Sequence, residues 1–297
     1  MSGGPSMTLH VLGSGAAFSR RYGTTCSVLC LPSGERWLID CGRQAPEQLS
    51  HAGLRWHDVA GQLVTHVHGD HVFGLEEFAF VRYYTSNAAG AAGPRVPAVM
   101  KGGPRPQLAA HSAVLSELWE VLGPSLRYRS NVNGEPVTGV LRDYFDVLEP
   151  SALEPPAGAS WNHSETFHAG DLSLVVRETR HVYGKPSTSI EFALPGPGSR
   201  LAWWSGDSVV DAGLLERLAP HTSIFFHDCT FVDFPGQVHG LFSDFEKLAP
   251  SLREKIVLMH HDDGIEQHRE RAEALGFRLA MPGDVYDLCS GQRIQAG

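Results

Sequence analysis

The segment Thr65-His66-Val67-His68-Gly69-Asp70-His71 limits what this chain can fold into more than any other stretch. It places three imidazoles and a carboxylate within six residues. It follows directly on residues 62–65, an apolar run that reads as a buried strand. Residues two apart in extended chain share a side, so His66 and His68 project the same way. Gly69 lets the chain turn sharply before Asp70 and His71. Such a donor set suits a borderline divalent cation such as zinc. A merely solvated loop would have no reason to grow out of a strand of core character.

The pattern recurs late in the chain. Strand-like runs at 172–176, 201–204, 224–226 and 255–259 lead into Arg180-His181, Ser205-Gly206-Asp207, His227-Asp228 and His260-His261, and a further strand reads at 189–194. With 62–65, five strands deliver a metal-capable residue at their C-terminal ends, the edge where α/β sheets bind ligands. Earlier strands at 9–12, 26–31 and 37–39 stop at Gly13-Ser14-Gly15, Pro32-Ser33-Gly34 and Asp40-Cys41-Gly42, and a helix at 46–52 is closed by Gly53. Short strands, Gly-rich stops and strand–helix alternation predict a mixed α/β sandwich. Residues 85–165 are rich in Gly, Pro, Ala and Arg, with one helix at 107–122 whose apolar positions include Val114, Leu115, Leu118 and Leu122. This stretch reads as an inserted lid within a single domain spanning 1–297, being too Pro-rich and core-poor to fold alone. Residues 1–7 read as a flexible lead.

Composition narrows the function classes. Hydrophobic residues make up 42%, enough to bury a core and exclude general disorder. Thirty-three acidic against 24 basic residues give a net charge of −9, an awkward balance for a large polyanionic partner. No apolar run is long enough to span a membrane, and residues 1–7 lack a secretory pattern. Five cysteines without a CxxC pair suit a reducing, cytoplasmic setting. Gly13-Ser14-Gly15 lacks the further glycine of a dinucleotide fingerprint and reads as a tight turn. Neither a P-loop nor a Gly-x-Ser-x-Gly elbow is present.

His-x-His-x-Asp-His after a strand resembles the signature of the metallo-β-lactamase superfamily. The resemblance covers nearly the whole chain: Leu12-Gly13-Ser14-Gly15-Ala16-Ala17 is similar to its opening strand–turn, and Ile39-Asp40-Cys41-Gly42 to its Asp-x-Gly element. It implies an αβ/βα four-layer sandwich with a metal site at one edge, and the chain is most similar to the ribonuclease Z and small-molecule phosphodiesterase branch. The implied ligands are His66, His68 and His181 on one metal, Asp70, His71 and His260 on a second, and Asp207 bridging. His261 rivals His260, although a residue one step later should point away. Read alone, Asp207 has the lesser alternative of ending a turn or capping a helix before Ser208-Val209. A bridging Asp rather than Cys favours phosphodiesterases, ribonuclease Z-like enzymes or thioesterases over β-lactam hydrolases.

Phe226-His227-Asp228-Cys229-Thr230-Phe231 resembles the His-Glu-Ala-Thr element of ribonuclease Z-like enzymes, with Asp for Glu and Cys for Ala. The resemblance implies that Asp228 supports His239, which would protonate a leaving oxygen. A structural Asp and a surface His remain the alternative. Lys185 and Arg82 are placed either to meet an anionic substrate group or to be solvated. His163 and His168, at the end of the lid segment, read as surface residues, and Trp203-Trp204 as strand packing.

The resemblance implies two Zn2+, with manganese or iron fitting the same ligands. Two ions about 3.5–4 Å apart can share a hydroxide that attacks a phosphoryl or carbonyl centre, and Asp70 would orient it. The expected activity is therefore metal-dependent hydrolysis, first of a small anionic phosphodiester such as a cyclic nucleotide. A ribonuclease Z-like cut at an RNA 3′ end stays open through Arg95, Lys101, Arg105, Arg127 and Arg129. Thioester or lactone hydrolysis is the other alternative. The resemblance also implies a homodimer.

Overall fold

The structure is a computed structural model that describes residues 6–85, 104–131, 133–154, 163–195 and 200–297, with the backbone alone for 152–154. Strands β1 (Thr8–Gly13), β2 (Cys26–Cys30) and β3 (Arg36–Ile39) precede helix α1 (Ala45–His51) and β4 (Gly61–Val64). Then come α2 (Gly69–Val72), α3 (Leu75–Tyr84), β5 (Gln107–Ala110), α4 (Ser112–Leu126), a hairpin of β6 (Tyr128–Ser130) with β7 (Pro136–Thr138), and β8 (Asp146–Val147). A second series runs β9 (Ala152–Glu154), β10 (Ser164–Ala169), β11 (Leu172–Thr179), β12 (Ser187–Ala193) and β13 (Leu201–Trp204). It continues with α5 (Ala212–Leu218), β14 (Thr222–Asp228), α6 (Phe242–Phe245), α7 (Pro250–Arg253), β15 (Ile256–Met259), α8 (Glu266–Ala274) and β16 (Arg278–Leu279), and ends on β17 (Val285–Asp287) and β18 (Gln292–Gln295).

Two eight-stranded sheets result, ordered β18-β17-β1-β2-β3-β4-β5-β8 and β16-β15-β14-β13-β12-β11-β10-β9. Where helices or long connections separate strands the pairing is parallel, from β3 to β8 in the first sheet and from β13 to β16 in the second.

Alternation along each strand sets the layers. Trp37 and Ile39 face the space between the sheets, whereas Leu38 faces the helices. Trp204, Phe226 and Val257 enter the same inter-sheet core, and Trp203, Phe225 and Leu258 lie on the opposite face. Helices α1, α3 and α4 cover the first sheet through Leu49, Phe78 and Leu118. The second is covered by Leu215, Phe245, Leu252 and Ala272 of α5 to α8. This is the αβ/βα four-layer sandwich. Each large side chain so buried contributes about 1.5–3 kcal/mol.

Residues 107–147 correct the expectation of a lid. The stretch read as one helix is β5, paired in parallel with β4, followed by α4. Val114, Leu118, Leu122 and Leu126 are packed into the same core as Phe78 and Tyr144. These elements are members of the sandwich. The Ala-rich β5 carries little strand signal beside a long helical period, which hid its boundary. Residues 86–103 and 155–162 of that stretch lie outside the described residues. Met7 is not part of a loose lead: it is buried, and its carbonyl accepts from Leu288 N. All five cysteines are unpaired. Among the described residues no helix is long and apolar enough to cross a membrane.

Candidate metal centre

β4 runs out through Thr65 into His66, and α2 starts at Gly69, presenting Asp70 and His71 in its first turn. His181, Asp207 and His260 lie just past β11, β13 and β15. The two sheets are tied together here by an isolated bridge between His66 and Ser187 and by Thr188 N donating to Thr65 O at 3.0 Å. The approach is close: a Cβ on Gly206, just past β13, would lie 3.0 Å from the Cβ of Thr65, just past β4.

All seven expected ligands converge. Asp207 Oδ2 lies 3.3 Å from His260 Nε2, 3.5 Å from His71 Nε2, 3.6 Å from His66 Nε2 and 4.0 Å from His181 Nε2. His68 Nδ1 is 3.1 Å from His66 Nε2 and 3.3 Å from His181 Nε2. Asp70 Oδ2 is 3.3 Å from His71 Nε2 and 3.8 Å from His260 Nε2. The donor atoms of His66, His68, His181 and Asp207 all lie within 4.8 Å of one another, as do those of Asp70, His71, Asp207 and His260. The rivalry at the end of β15 resolves on backbone geometry. His260 adopts a left-handed φ of 56°, which turns its ring into the cluster. The His261 ring points the other way, with Nε2 donating to Ala280 O at 3.1 Å, and sits edge-on to Tyr22.

The outer ring nitrogens show what the inner ones can do. His71 Nδ1 donates to Asp40 Oδ2 at 2.8 Å and His181 Nδ1 to Val238 O at 3.2 Å. Thr65 and Thr25 spend their hydroxyl protons on Asp40 and on Gly15 O, so their oxygens accept from His66 Nδ1 and His260 Nδ1 at 3.1 and 3.0 Å. With the proton fixed outside, the Nε2 atoms of His66, His181 and His260 carry their lone pairs into the cluster, and a cation would displace the second proton that the neighbouring aspartates favour on His71. His71 Nε2 is buried and has no hydrogen-bond partner. Such inward-facing lone pairs, grouped around carboxylates, fit a divalent cation.

Electrostatics agree. Burial holds His66 well below its usual pKa, lowers His68 to about 4, and lowers His181 and His260. These imidazoles are neutral at pH 7 and free to ligate. Burial also disfavours a charged His71, but Asp207, Asp40 and Asp70 outweigh it and raise that ring well above its usual value. Burial opposes ionisation of Asp70, yet His71 and His260 bring it down to about 2. The cluster therefore concentrates negative charge that a cation would neutralise.

Asp228 and His239 lie beside this group. His239 Nδ1 is 3.1 Å from Asp228 Oδ2 and 3.8 Å from Asp207 Oδ2. Asp228 is fully buried; its carboxylate also accepts from Gly240 N, Ser205 Oγ and Ser208 N and faces His227 Nδ1 at 3.0 Å. Burial would raise its pKa, but hydrogen bonds from His227 and His239 bring it to about 2. Burial would lower His239, but Asp228 and Asp207 push it up to about 9. The Asp for Glu departure thus leaves the carboxylate–imidazole contact in place.

Of the other sequence candidates, Lys185 sits beside the cluster and the rest lie elsewhere. Lys185 Nζ binds Val67 O and Glu117, and Arg82 binds Trp56 O and Val59 O. His163 and His168 are exposed. Sequence reasoning gave no role to Asp40, Thr25, Thr65, Ser205 or His227. Asp40 was signalled by its Asp-x-Gly context; the others act through contacts between distant segments.

A family model described as Anti-Pycsar protein Apyc1 matches residues 7–281. The chain belongs to the Anti-Pycsar protein Apyc1 family. A family member from Paenibacillus xerothermodurans is 30% identical, over 92% of this chain and 94% of its own. One from Bacillus phage 010DV004 is 27% identical, over 95% and 99%. Among solved structures, the short form of human tRNase Z matches with a TM-score of 0.64 at 21% identity, over 95% of this chain and 99% of its own. A diphosphatase of the PhnP family matches with a TM-score of 0.62 at 18% identity, over 94% and 96%. Both share the metallo-β-lactamase fold. The chain is a metal-dependent phosphodiester hydrolase.

Proposed function

We propose that this chain opens the phosphodiester ring of a cyclic mononucleotide, with cyclic CMP and cyclic UMP as the first substrates to test. In this reading His66, His68 and His181 hold one divalent cation, Asp70, His71 and His260 hold a second, and Asp207 serves both. Zinc is the first choice, and manganese or iron would accept the same donors. When bound, such cations supply an acidified water and charge compensation at the phosphoryl oxygens.

The chain's own residues position and protonate. Asp70 lies among the inward-facing nitrogens and orients the attacking water. Opening the ring expels an alkoxide, which needs a proton. His239 can give it: Asp228 holds its Nδ1, and its side chain is 28% exposed, so its other nitrogen can meet substrate. The carrying observation is this paired, solvent-reachable imidazole 3.8 Å from the shared aspartate.

A small substrate suits the charge better than RNA does. The net charge is −9, Arg105 pairs with Asp146 and Arg129 with Asp143, while Arg95 and Lys101 lie outside the described residues. Relatives named as anti-Pycsar proteins, in phages and in Paenibacillus, support the same choice. A cytoplasmic homodimer completes the reading, supported by the unpaired cysteines and by the resemblance respectively. The test is chromatography of cyclic CMP and cyclic UMP after incubation with metal-loaded protein. Linear monophosphate is the expected product. Turnover of a chromogenic thioester with none of either cyclic nucleotide would overturn the proposal.

A further inference from the structure

Exposed apolar side chains are not scattered evenly over this molecule. Ten large hydrophobic residues are exposed among the described ones, and six of them, Phe18, Phe73, Val182, Tyr183, Val232 and Phe234, lie on four segments that flank the metal-type cluster. Hydrogen bonds, close packing or chain adjacency place each segment next to a cluster residue or its neighbour. The Phe73 ring packs on Gly69, between His68 and Asp70, so closely that a Cβ there would meet Cε2 at 2.5 Å. Tyr183 follows His181 by two residues. Gln237 holds the turn of Val232 and Phe234 to the site: its Nε2 donates to Val232 O, and its Oε1 accepts from His239 N. The Phe18 loop is pinned by Ala16 N donating to His261 O and by Ser19 Oγ donating to Asp263.

We infer that this aromatic rim is the base-binding part of the site, in which Phe73 and Tyr183 offer ring faces to the nucleobase of the substrate while the cluster holds its phosphate. The inference rests on the cyclic-nucleotide reading above. The buried cluster offers imidazoles and carboxylates, suited to a phosphate through cations but not to an apolar ring face. A base has two π-faces, and each aromatic neighbour stacked on one contributes to affinity without reading sequence. Tyr183 is fully exposed, so truncating it removes no packing from the free protein.

The experiment measures competitive inhibition of bis-p-nitrophenyl phosphate hydrolysis by two probes, CMP and inorganic phosphate, in wild type, Phe73→Ala, Tyr183→Ala and Tyr183→Phe. The expected result is a roughly tenfold weaker CMP in each alanine variant, phosphate within twofold of wild type, and recovery in Tyr183→Phe. The KM for cyclic CMP should rise in parallel. Unchanged CMP inhibition in both alanine variants, with wild type hydrolysing cyclic CMP, overturns the rim but not the activity. If wild type hydrolyses no cyclic nucleotide, the underlying reading fails instead. Conversion of a wild-type dimer to a monomer by Tyr183→Ala in gel filtration would reassign the rim to a subunit contact and overturn the inference.

Discussion

Asp40 governs the cluster without belonging to it. Its two oxygens accept from Thr65 N, Thr65 Oγ1 and His71 Nδ1, and it holds a φ of 56° to do so. Partners of this kind fix ring orientation and raise ligand basicity. Asp40→Ala should therefore weaken zinc affinity about 10–100-fold, measured by competition with a chromogenic chelator; equal affinity would count against the role. His239→Ala should slow cyclic nucleotides, which expel an alkoxide, by about 10²–10⁴-fold, and bis-p-nitrophenyl phosphate far less. Equal losses on both would remove His239 as proton donor. The pH dependence has a definite sign. His239, raised to about 9, can donate below that pH and loses the ability as pH rises through it. Asp228→Asn removes the negative charge that helps raise it, so the alkaline limb of kcat should move to lower pH. A limb that stays put would show that another group titrates there. The residues that converge in the cluster were legible because they follow strands that announce themselves. Asp40 was marked only by its Asp-x-Gly context, and Thr25 and Ser205 were not legible, because hydrogen bonds between segments far apart in sequence leave no local pattern.

At the scale of elements, the parallel strands matter most, because β4, β13, β14 and β15 all deliver a cluster or neighbouring residue past their C-terminal ends. Strands 9–12, 37–39 and 201–204 were readable to within a residue or two, since Gly and Asp stops bracket them. The stretch around β5 was not: Leu108-Ala109-Ala110 is too short and too small in side chain to register against the helical period that follows. Its placement has a consequence. If α4 is core, Leu118→Ala leaves a cavity beside Phe78 and costs about 2–5 kcal/mol, visible as a lower urea midpoint. A lid would lose nothing in global stability, so an unchanged midpoint would contradict the packing described here.

For the whole molecule, the four-layer design separates two tasks. The inter-sheet core, with Trp37, Trp204, Phe192 and Phe226, supplies stability, while the sheet edge gathers charges that no core could tolerate unpaired. Family membership, the donor geometry and the paired His239 meet at that edge. The most direct test is zinc titration of chelator-stripped protein, followed by turnover of cyclic CMP and cyclic UMP. Activity should be absent at first, return with about two equivalents per chain, and stay absent in Asp207→Ala. Full activity in stripped wild type, or no turnover with two equivalents bound, would contradict the account.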